Sequence, residues 1–375
     1  MRILVVGVGG MGLPIAWALK KLGADLVLHD VCEEKIEKAK EVLGYFEKSS
    51  SKFESLDAFL TGFSLNDEVD LVVSCLPYSL NKFVGKTCAE KNVRYCDLGG
   101  NPAVTDSIHE YFSDSTSVCF TDLGVAPGLG NILAEYLVKN TKNPHTVEIM
   151  VGGLPARPTG RLKYNLVFSP KGLWNELTGD CEIIRDGKKQ IVPALKEVTA
   201  LNEAFEVSHT KGGLSTSLDL MLERGVQNLS YKTIRVKGHY DYINFLLKDC
   251  KLENDCKTFE EIIGKACPTT KKDQILLRVN VDDHYVEAII DSDEWTAMQK
   301  ATSFSAAAVA AIMASGKLDG SKSVLDYSSV PLEEFKENLK LIGGIPVDNL
   351  FAIKKESERT EEAFKDYITI LQDVN

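Results

Sequence analysis

The chain opens on a regular alternation of short apolar runs and amphipathic stretches. Ile3 to Val6 is continuously apolar and predicts a strand buried on both faces. Leu13 to Leu22 puts Ile15, Ala18, Leu19 and Leu22 on one helical face. Ala24 to His29 predicts a second strand, and Glu33 to Val42 the next helix. The pattern then repeats: strands at Val69 to Cys75, Val93 to Cys96 and Val118 to Thr121, each followed by a helix, at Leu80 to Lys91, Thr105 to Phe112 and Leu129 to Val138. Strand, turn, helix, strand is the repeating unit of a parallel sheet with helices on its faces. The stretch Glu47 to Phe53 fits either a weak third strand or a loop.

After about Thr146 the texture changes. Val147 to Val151, Cys181 to Val192, Ser230 to Lys237, Ile275 to Val281 and His284 to Ile290 predict strands, with more turns and fewer helices between them. That points to a mixed sheet in a second domain. Near Trp295 the helical pattern returns, with helices predicted at Ser305 to Met313 and Leu332 to Leu339.

The turn after the first strand is Gly7-Val8-Gly9-Gly10-Met11-Gly12, a GxGxxG pattern between a strand and a helix. The glycines allow a tight turn, a close approach of backbone to a pyrophosphate, and close helix–strand packing. The pyrophosphate would sit on the free N–H groups at the helix start. Asp30 ends the next strand, near the spacing expected for a ribose-binding carboxylate. A carboxylate there accepts from ribose hydroxyls and repels a 2′-phosphate, and Glu33 and Glu34 add to that repulsion. The expected cofactor is therefore NAD, held by Gly7, Gly9, Gly10, Met11, Gly12 and Asp30. The blander role for Asp30, capping the next helix, is compatible with this.

Ligands in open parallel sheets bind beyond the carboxyl ends of the strands. Three segments fall there: Leu76-Pro77-Tyr78, Asp97-Leu98-Gly99-Gly100-Asn101-Pro102 and Asp122-Leu123-Gly124-Val125-Ala126-Pro127-Gly128. Leu76, Pro77 and Gly99 are expected beside the cofactor, and Tyr78 could flank the nicotinamide. Asp97 and Asp122 occupy equivalent places, each followed by Leu-Gly. Each could simply cap its loop; their repetition favours a role in the crevice.

At these residues a family resemblance enters. Segments 97–106 (DLGGNPAVTD), 122–137 (DLGVAPGLGNILAEYL) and 151–173 (VGGLPARPTGRLKYNLVFSPKGL) resemble the saccharopine dehydrogenase-like family. So do 183–195, 209–218, 231–239 and, after a gap, 296–318. The resemblance implies a Rossmann domain over 1–125 and a mixed α/β substrate and dimerisation domain over 126–295. It further implies that a helical segment over 296–375 completes the Rossmann domain. It implies NAD-linked chemistry at a carbon–nitrogen bond of an amino-acid substrate, in a homodimer. Asp97, Arg157 and Lys171 depart from the saccharopine dehydrogenases. They move the chain towards members that oxidise the ε-amine of L-lysine. Reductive amination of the saccharopine or carboxynorspermidine type stays open beside it.

Hydride leaves a carbon bearing a neutral amine, and a free lysine ε-amine has a pKa of about 10.4. The site must therefore remove a proton. Asp97 and Asp122 are expected to position the ammonium and imine, with His209 as the base. His209 precedes Thr210-Lys211-Gly212-Gly213, a loop suited to covering a ligand, although a plain surface histidine fits the same sequence. The substrate carboxylate needs a cation: Arg157 offers a bidentate fork and Lys171 a point charge. Arg235 lies in a strand whose alternation could turn it inward. Tyr164 and Asn165 could add polar contacts.

Composition narrows the alternatives. A net charge of −11 over 375 residues argues against a nucleic-acid surface. Nine cysteines without a CxxC pair or Cys/His cluster read as reduced thiols of a cytoplasmic protein with no metal site. No apolar run is long enough to span a bilayer. Arg2 and the small-x-small Ala16-Trp17-Ala18 loosely mimic a signal peptide, but the glycine cluster between them fits poorly. A non-catalytic NAD(H) sensor is the alternative of another class; it would need the glycine turn but neither Asp97 nor Asp122.

Overall fold

A computed structural model describes residues 1–44, 46–48, 68–318, 322–358, 364 and 367–369. The chain divides into two units, Met1–Leu129 with Gln299–Gly343, and Gly130–Met298 with Gly344–Asn375.

The first unit contains strands β1 (Arg2–Val6), β2 (Asp25–His29), β3 (Glu47–Lys48), β4 (Leu71–Ser74), β5 (Arg94–Asp97) and β6 (Cys119–Phe120). Their order is β3-β2-β1-β4-β5-β6, and every pair is parallel. Helices α1 (Gly12–Lys21), α2 (Glu33–Leu43), α3 (Tyr78–Lys91) and α4 (Pro102–Ser113) stand between them. This is the doubly wound Rossmann order, and its direction reverses between β1 and β4, where ligands bind such sheets. Ile3 to Val6 are all buried, as the uninterrupted apolar run requires in a sheet covered on both faces. Of the ambiguous stretch 47–53, the first two residues form β3 and Ser49 to Phe53 lie outside the described residues.

Local chemistry sets the helix ends. The Asn101 side chain accepts from the Val104 N–H and Pro102 opens α4, a common start because proline lacks the N–H that would go unpaired there. Lys20 and Lys21 close α1, where cations complement the helix dipole. The returning segment supplies two more helices. Ser305–Ala314 is buried along its whole length, and Leu332–Ile342 buries Phe335, Leu339 and Ile342. Trp17 of α1 stacks on Phe304 with ring centroids 5.4 Å apart.

The second unit begins within α5 (Leu129–Asn140). It contains β7 (Thr146–Pro155), α6 (Pro170–Leu177), β8 (Asp180–Arg185), β9 (Lys188–Pro193), β10 (Val198–Ala200), β11 (Phe205–His209), α7 (Ser217–Glu223) and β12 (Asn228–Val236). These are followed by α8 (His239–Asn244), α9 (Cys256–Ala266), β13 (Asp273–Val281), β14 (His284–Asp291) and β15 (Lys354–Lys355). The sheet runs β10-β11-β12-β7-β13-β14-β15, with the β8–β9 hairpin joined to β12. Among the described strands only β12 and β7 pair in parallel, so the sheet is mixed.

Two expectations need correction. Cys181 to Val192 is not one strand but the β8–β9 hairpin, turned at Asp186 and Gly187 with φ of 52° and 71°. Positive φ at both central residues is what an Asp-Gly hairpin turn demands. The segment 296–375 does not return whole to the first unit. Gln299–Gly343 does, but from Gly344 onward the chain groups with the second. There β15 pairs with β14, and Phe364 and Tyr367 pack with Phe205, Val207, Ile234 and Leu276.

Candidate active site

The glycine turn is built as a dinucleotide cradle. A Cβ on Gly12 would stand 1.7 Å from the Gly7 carbonyl oxygen, so only glycine lets α1 start this close to β1. Above Gly10 a Cβ would meet nothing within 4 Å, which leaves the turn open to a ligand. No side-chain cap closes the start of α1, a helix start that favours an anion. The returning segment braces the turn: Gln299 donates to the Gly10 carbonyl (2.7 Å) and Ser303 to the Met11 carbonyl (3.0 Å). Leu76 approaches Gly7, and Tyr78 packs on Gly100.

Asp30 joins the turn to the loop after β2. Its Oδ2 accepts from the Val8 N–H and its Oδ1 from the Cys32 N–H, both at 2.9 Å; Lys35 Nζ lies 3.5 Å from Oδ2. A carboxylate offers about four acceptor positions, so both oxygens can still take a ribose hydroxyl. Asp30 does not cap the next helix, whose N-cap is Cys32 without a side-chain cap bond; its carboxylate instead ties the glycine turn to the loop after β2.

Asp97 and Asp122 come together at the carboxyl ends of β5 and β6. Asp97 Oδ1 accepts from the Gly99 N–H (2.9 Å) and the Asp122 N–H (3.1 Å), and its Oδ2 from the Tyr95 hydroxyl (2.7 Å). The side chain is buried among Tyr95, Cys75, Cys96 and Cys119. Burial first, and the Asp122 charge second, push the Asp97 carboxyl up to about 7; the three hydrogen bonds work the other way. Burial likewise pushes the Tyr95 hydroxyl and the Cys75, Cys96 and Cys119 thiols up, so all are neutral at physiological pH.

Asp122 has φ of 62°, in the left-handed region. Its Oδ1 lies 1.8 Å from where a Cβ of Gly99 would be, and Thr105 donates to Oδ2 at 3.3 Å. Tyr327, from the returning segment, donates to the Asp122 carbonyl at 3.0 Å. His109 contacts Thr121 at 2.8 Å, and burial lowers its pKa against the pull of Asp122 and Asp106.

The second unit carries its own polar cluster. Arg235 is buried, donates from Nη2 to Glu176 (2.9 Å) and from Nη1 to the Ile234 carbonyl (3.0 Å), and lies over the Tyr164 ring. Its Nε and the Nε2 of His239 have no hydrogen-bond partner among the described residues. Burial, then the Arg235 charge, pushes His239 down to about 3, so it is neutral. Tyr240 donates to the Thr233 carbonyl (2.7 Å), and the Thr210 and Thr233 hydroxyls meet at 2.6 Å.

His209 lies apart from this cluster. In the β11–β12 register Glu206 faces Arg235, Val207 faces Ile234 and His209 faces Lys232. Side chains alternate along a strand, so His209, Val207, Lys232 and Ile234 share one sheet face, and Thr233 and Arg235 the other. His209 is buried, 3.7 Å from Glu197. Burial and Lys232 lower its pKa. The reading as a plain surface histidine is thus corrected: His209 ends β11, between β10 and β12, and is buried on the face opposite Arg235. Arg157 and Lys171 are exposed, and the buried cation of this unit's cluster is Arg235. Tyr164 is buried at that cluster, and Asn165 accepts from Thr159 nearby (3.1 Å). Glu176, Tyr240, Tyr95 and Tyr327 were not singled out from sequence. Only Arg235 carried a signal, the alternation of Thr233 and Arg235 with apolar Ile234 and Val236.

Two family models cover most of the chain. Residues 3–117 match the saccharopine dehydrogenase NADP binding domain, and residues 124–341 match the saccharopine dehydrogenase C-terminal domain. The chain belongs to the saccharopine dehydrogenase family. Members are NAD(P)-binding oxidoreductases, and the first match falls on the unit that holds the glycine turn. The chain is 29% identical over 155 residues to mitochondrial alpha-aminoadipic semialdehyde synthase of Mus musculus, covering 40% of this chain and 16% of that protein. The Rattus norvegicus protein matches at 28% with the same coverage. This chain thus spans a small part of the length of these relatives. In fold it is similar to apo saccharopine dehydrogenase (L-Glu forming) from Saccharomyces cerevisiae, with TM-score 0.73, 13% identity and coverage of 92% of this chain and 98% of that one. It is also similar to homospermidine synthase from Legionella pneumophila, solved with NAD, with TM-score 0.60, 11% identity and coverage of 96% and 93%. No described helix is long and apolar enough to cross a membrane.

Proposed function

We propose that the chain is an NAD-dependent amino-acid dehydrogenase acting at a carbon–nitrogen bond, with the ε-amine of L-lysine as substrate. The observation that carries this is the buried Asp97–Asp122 pair at the carboxyl edge of the sheet that bears the glycine turn. Two carboxyls held side by side, with the Asp122 charge raising the Asp97 pKa, suit an incoming ammonium group. NAD, when bound, accepts the hydride. The acidic pair holds the amine and takes its proton, leaving the neutral amine that hydride loss requires. The resulting iminium carbon adds water and expels ammonia, giving the aldehyde, which closes on the α-amine with loss of water to 1-piperideine-6-carboxylate. His209 is the base expected from sequence; its burial at the end of β11, opposite Lys232, favours the acidic pair in that role.

Asp30 supports NAD over NADP, because a 2′-phosphate would meet its carboxylate. A homodimer and a cytoplasmic location belong to the same reading. Sizing by light scattering tests the first, and fractionation of the source cell the second.

A second reading, saccharopine- or carboxynorspermidine-type chemistry, is supported by the names of the relatives. The saccharopine form is also supported by Arg235, a buried cation suited to a carboxylate. The deciding experiment is NADH or NADPH formation with L-lysine, saccharopine and carboxynorspermidine at alkaline pH. Lysine turnover with ammonia release supports the first reading. Turnover of a secondary amine alone replaces it with the second. NADH binding without any turnover leaves a nucleotide sensor.

A further inference from the structure

We infer that Asp97 is a positioning residue that acts through Asp122, fixing the Asp122 backbone so that its carboxylate lies against Gly99. This rests on the reading above, in which the acidic pair receives the amine, and divides its labour: Asp122 touches substrate and Asp97 does not. The hydrogen bonds carry the argument. Asp97 Oδ1 takes the Asp122 N–H and the Gly99 N–H, while Oδ2 takes the Tyr95 hydroxyl. Both carboxyl oxygens are thus engaged by the protein, and the residue is 2% exposed. The peptide of Asp122 is held from the other side as well, by the Tyr327 hydroxyl on its carbonyl.

Such holding stabilises the conformation. A left-handed backbone costs a residue with a Cβ some energy, less for aspartate than for most, and surroundings that grip both ends keep it there. At Asp122 two side chains, one from β5 and one from the returning segment, grip opposite ends of the residue's backbone. The grip sets the carboxylate where Gly99 alone leaves room, since any Cβ there would collide with Oδ1. Asp97 also binds loop to loop by its backbone, its carbonyl accepting from the Leu123 N–H at 2.9 Å. Tyr95 beneath and Tyr327 opposite belong to the same device.

The test is a double-mutant cycle on Asp97 and Asp122, read by kcat/KM with the amine that the panel identifies. Asp97→Ala removes the grip and is expected to lower kcat/KM by about ten- to hundredfold. Asp97→Asn recovers most of that loss, because its amide oxygen still accepts both N–H groups and its NH2 can donate to Tyr95. In an Asp122→Asn background, Asp97→Ala costs little more, the mark of one group acting through another. Equal losses from Asp97→Ala and Asp97→Asn, or losses that multiply with Asp122→Asn, would overturn the inference and make Asp97 a substrate contact. Should no amine turn over, the function proposed above fails, and the same cycle is read on NADH affinity by fluorescence. There, non-additive losses with rescue by Asp97→Asn support the grip; additive losses, or none, refute it.

Discussion

Asp97→Asn is expected to stabilise the protein at neutral and alkaline pH and to leave it unchanged in acid. Burial and the Asp122 charge move the Asp97 carboxyl from 3.8 to about 7 on folding. A carboxyl raised in the folded state binds more protons folded than unfolded, so stability falls as pH rises between those two values. Below the lower value both states are protonated and the penalty is absent; above about 7 it is complete. At about 1.4 kcal/mol per pH unit, the window corresponds to roughly 4 kcal/mol. The asparagine is neutral in both states and keeps the same hydrogen-bond partners, so it escapes the penalty. Urea unfolding followed by tryptophan fluorescence at about pH 4, 6 and 8 measures the difference. It should be near zero at the first pH and grow to on the order of 2–4 kcal/mol at the last. A difference that does not change with pH, or one that grows in favour of the wild type, would show that the carboxyl is ionised in the fold without penalty. The reasoning about its burial would then be wrong.

Other consequences can be checked on the same protein. Gly99→Ala places a methyl group where Asp122 Oδ1 now lies and should abolish turnover while leaving the second unit folded, as seen by hydrogen exchange. Arg235→Ala strands Glu176 in a half-buried site and should cost about 3 kcal/mol in urea unfolding, whereas replacing both partners with apolar groups costs less. Asp30→Ala removes an acceptor from the Val8 and Cys32 N–H groups, and should weaken NAD binding more than NADP binding in calorimetric titrations. His209→Gln should change kcat/KM by no more than a few-fold; a loss of about a hundredfold or more would return His209 to the role of base.

Much of the first unit was legible in the chain because its determinants are local. The glycine turn sits between one strand and one helix, and each needs only its own neighbours to form. Uninterrupted apolar runs such as Ile3 to Val6, too short for a helix and followed by glycine, read as strands covered on both faces, which implies the parallel sheet. The loops bearing Asp97 and Asp122 were equally visible, each following its strand. The Asp186-Gly187 turn is the exception: the dipeptide carries a hairpin signal, yet the apolar run around it reads as one strand.

Tertiary structure alone decided the rest, because it depended on register and on contacts between distant residues. Whether His209 and Arg235 share a face turns on which residue of β11 stands opposite which residue of β12, and a slip of one residue would reverse the answer. The grip of Asp97 on Asp122 spans two strands that pair only in the folded sheet. Tyr327 reaches Asp122 from a segment some two hundred positions away. The division of the C-terminal residues between the units turned on whether β14 finds β15, a pairing no local pattern announces. Sequence determined which residue types stand at the strand ends, because chain direction and side-chain period are properties of the backbone itself. Which of them touch, and which are held in place by others, followed only when burial and long-range hydrogen bonding chose one register among the many that the same pattern allows.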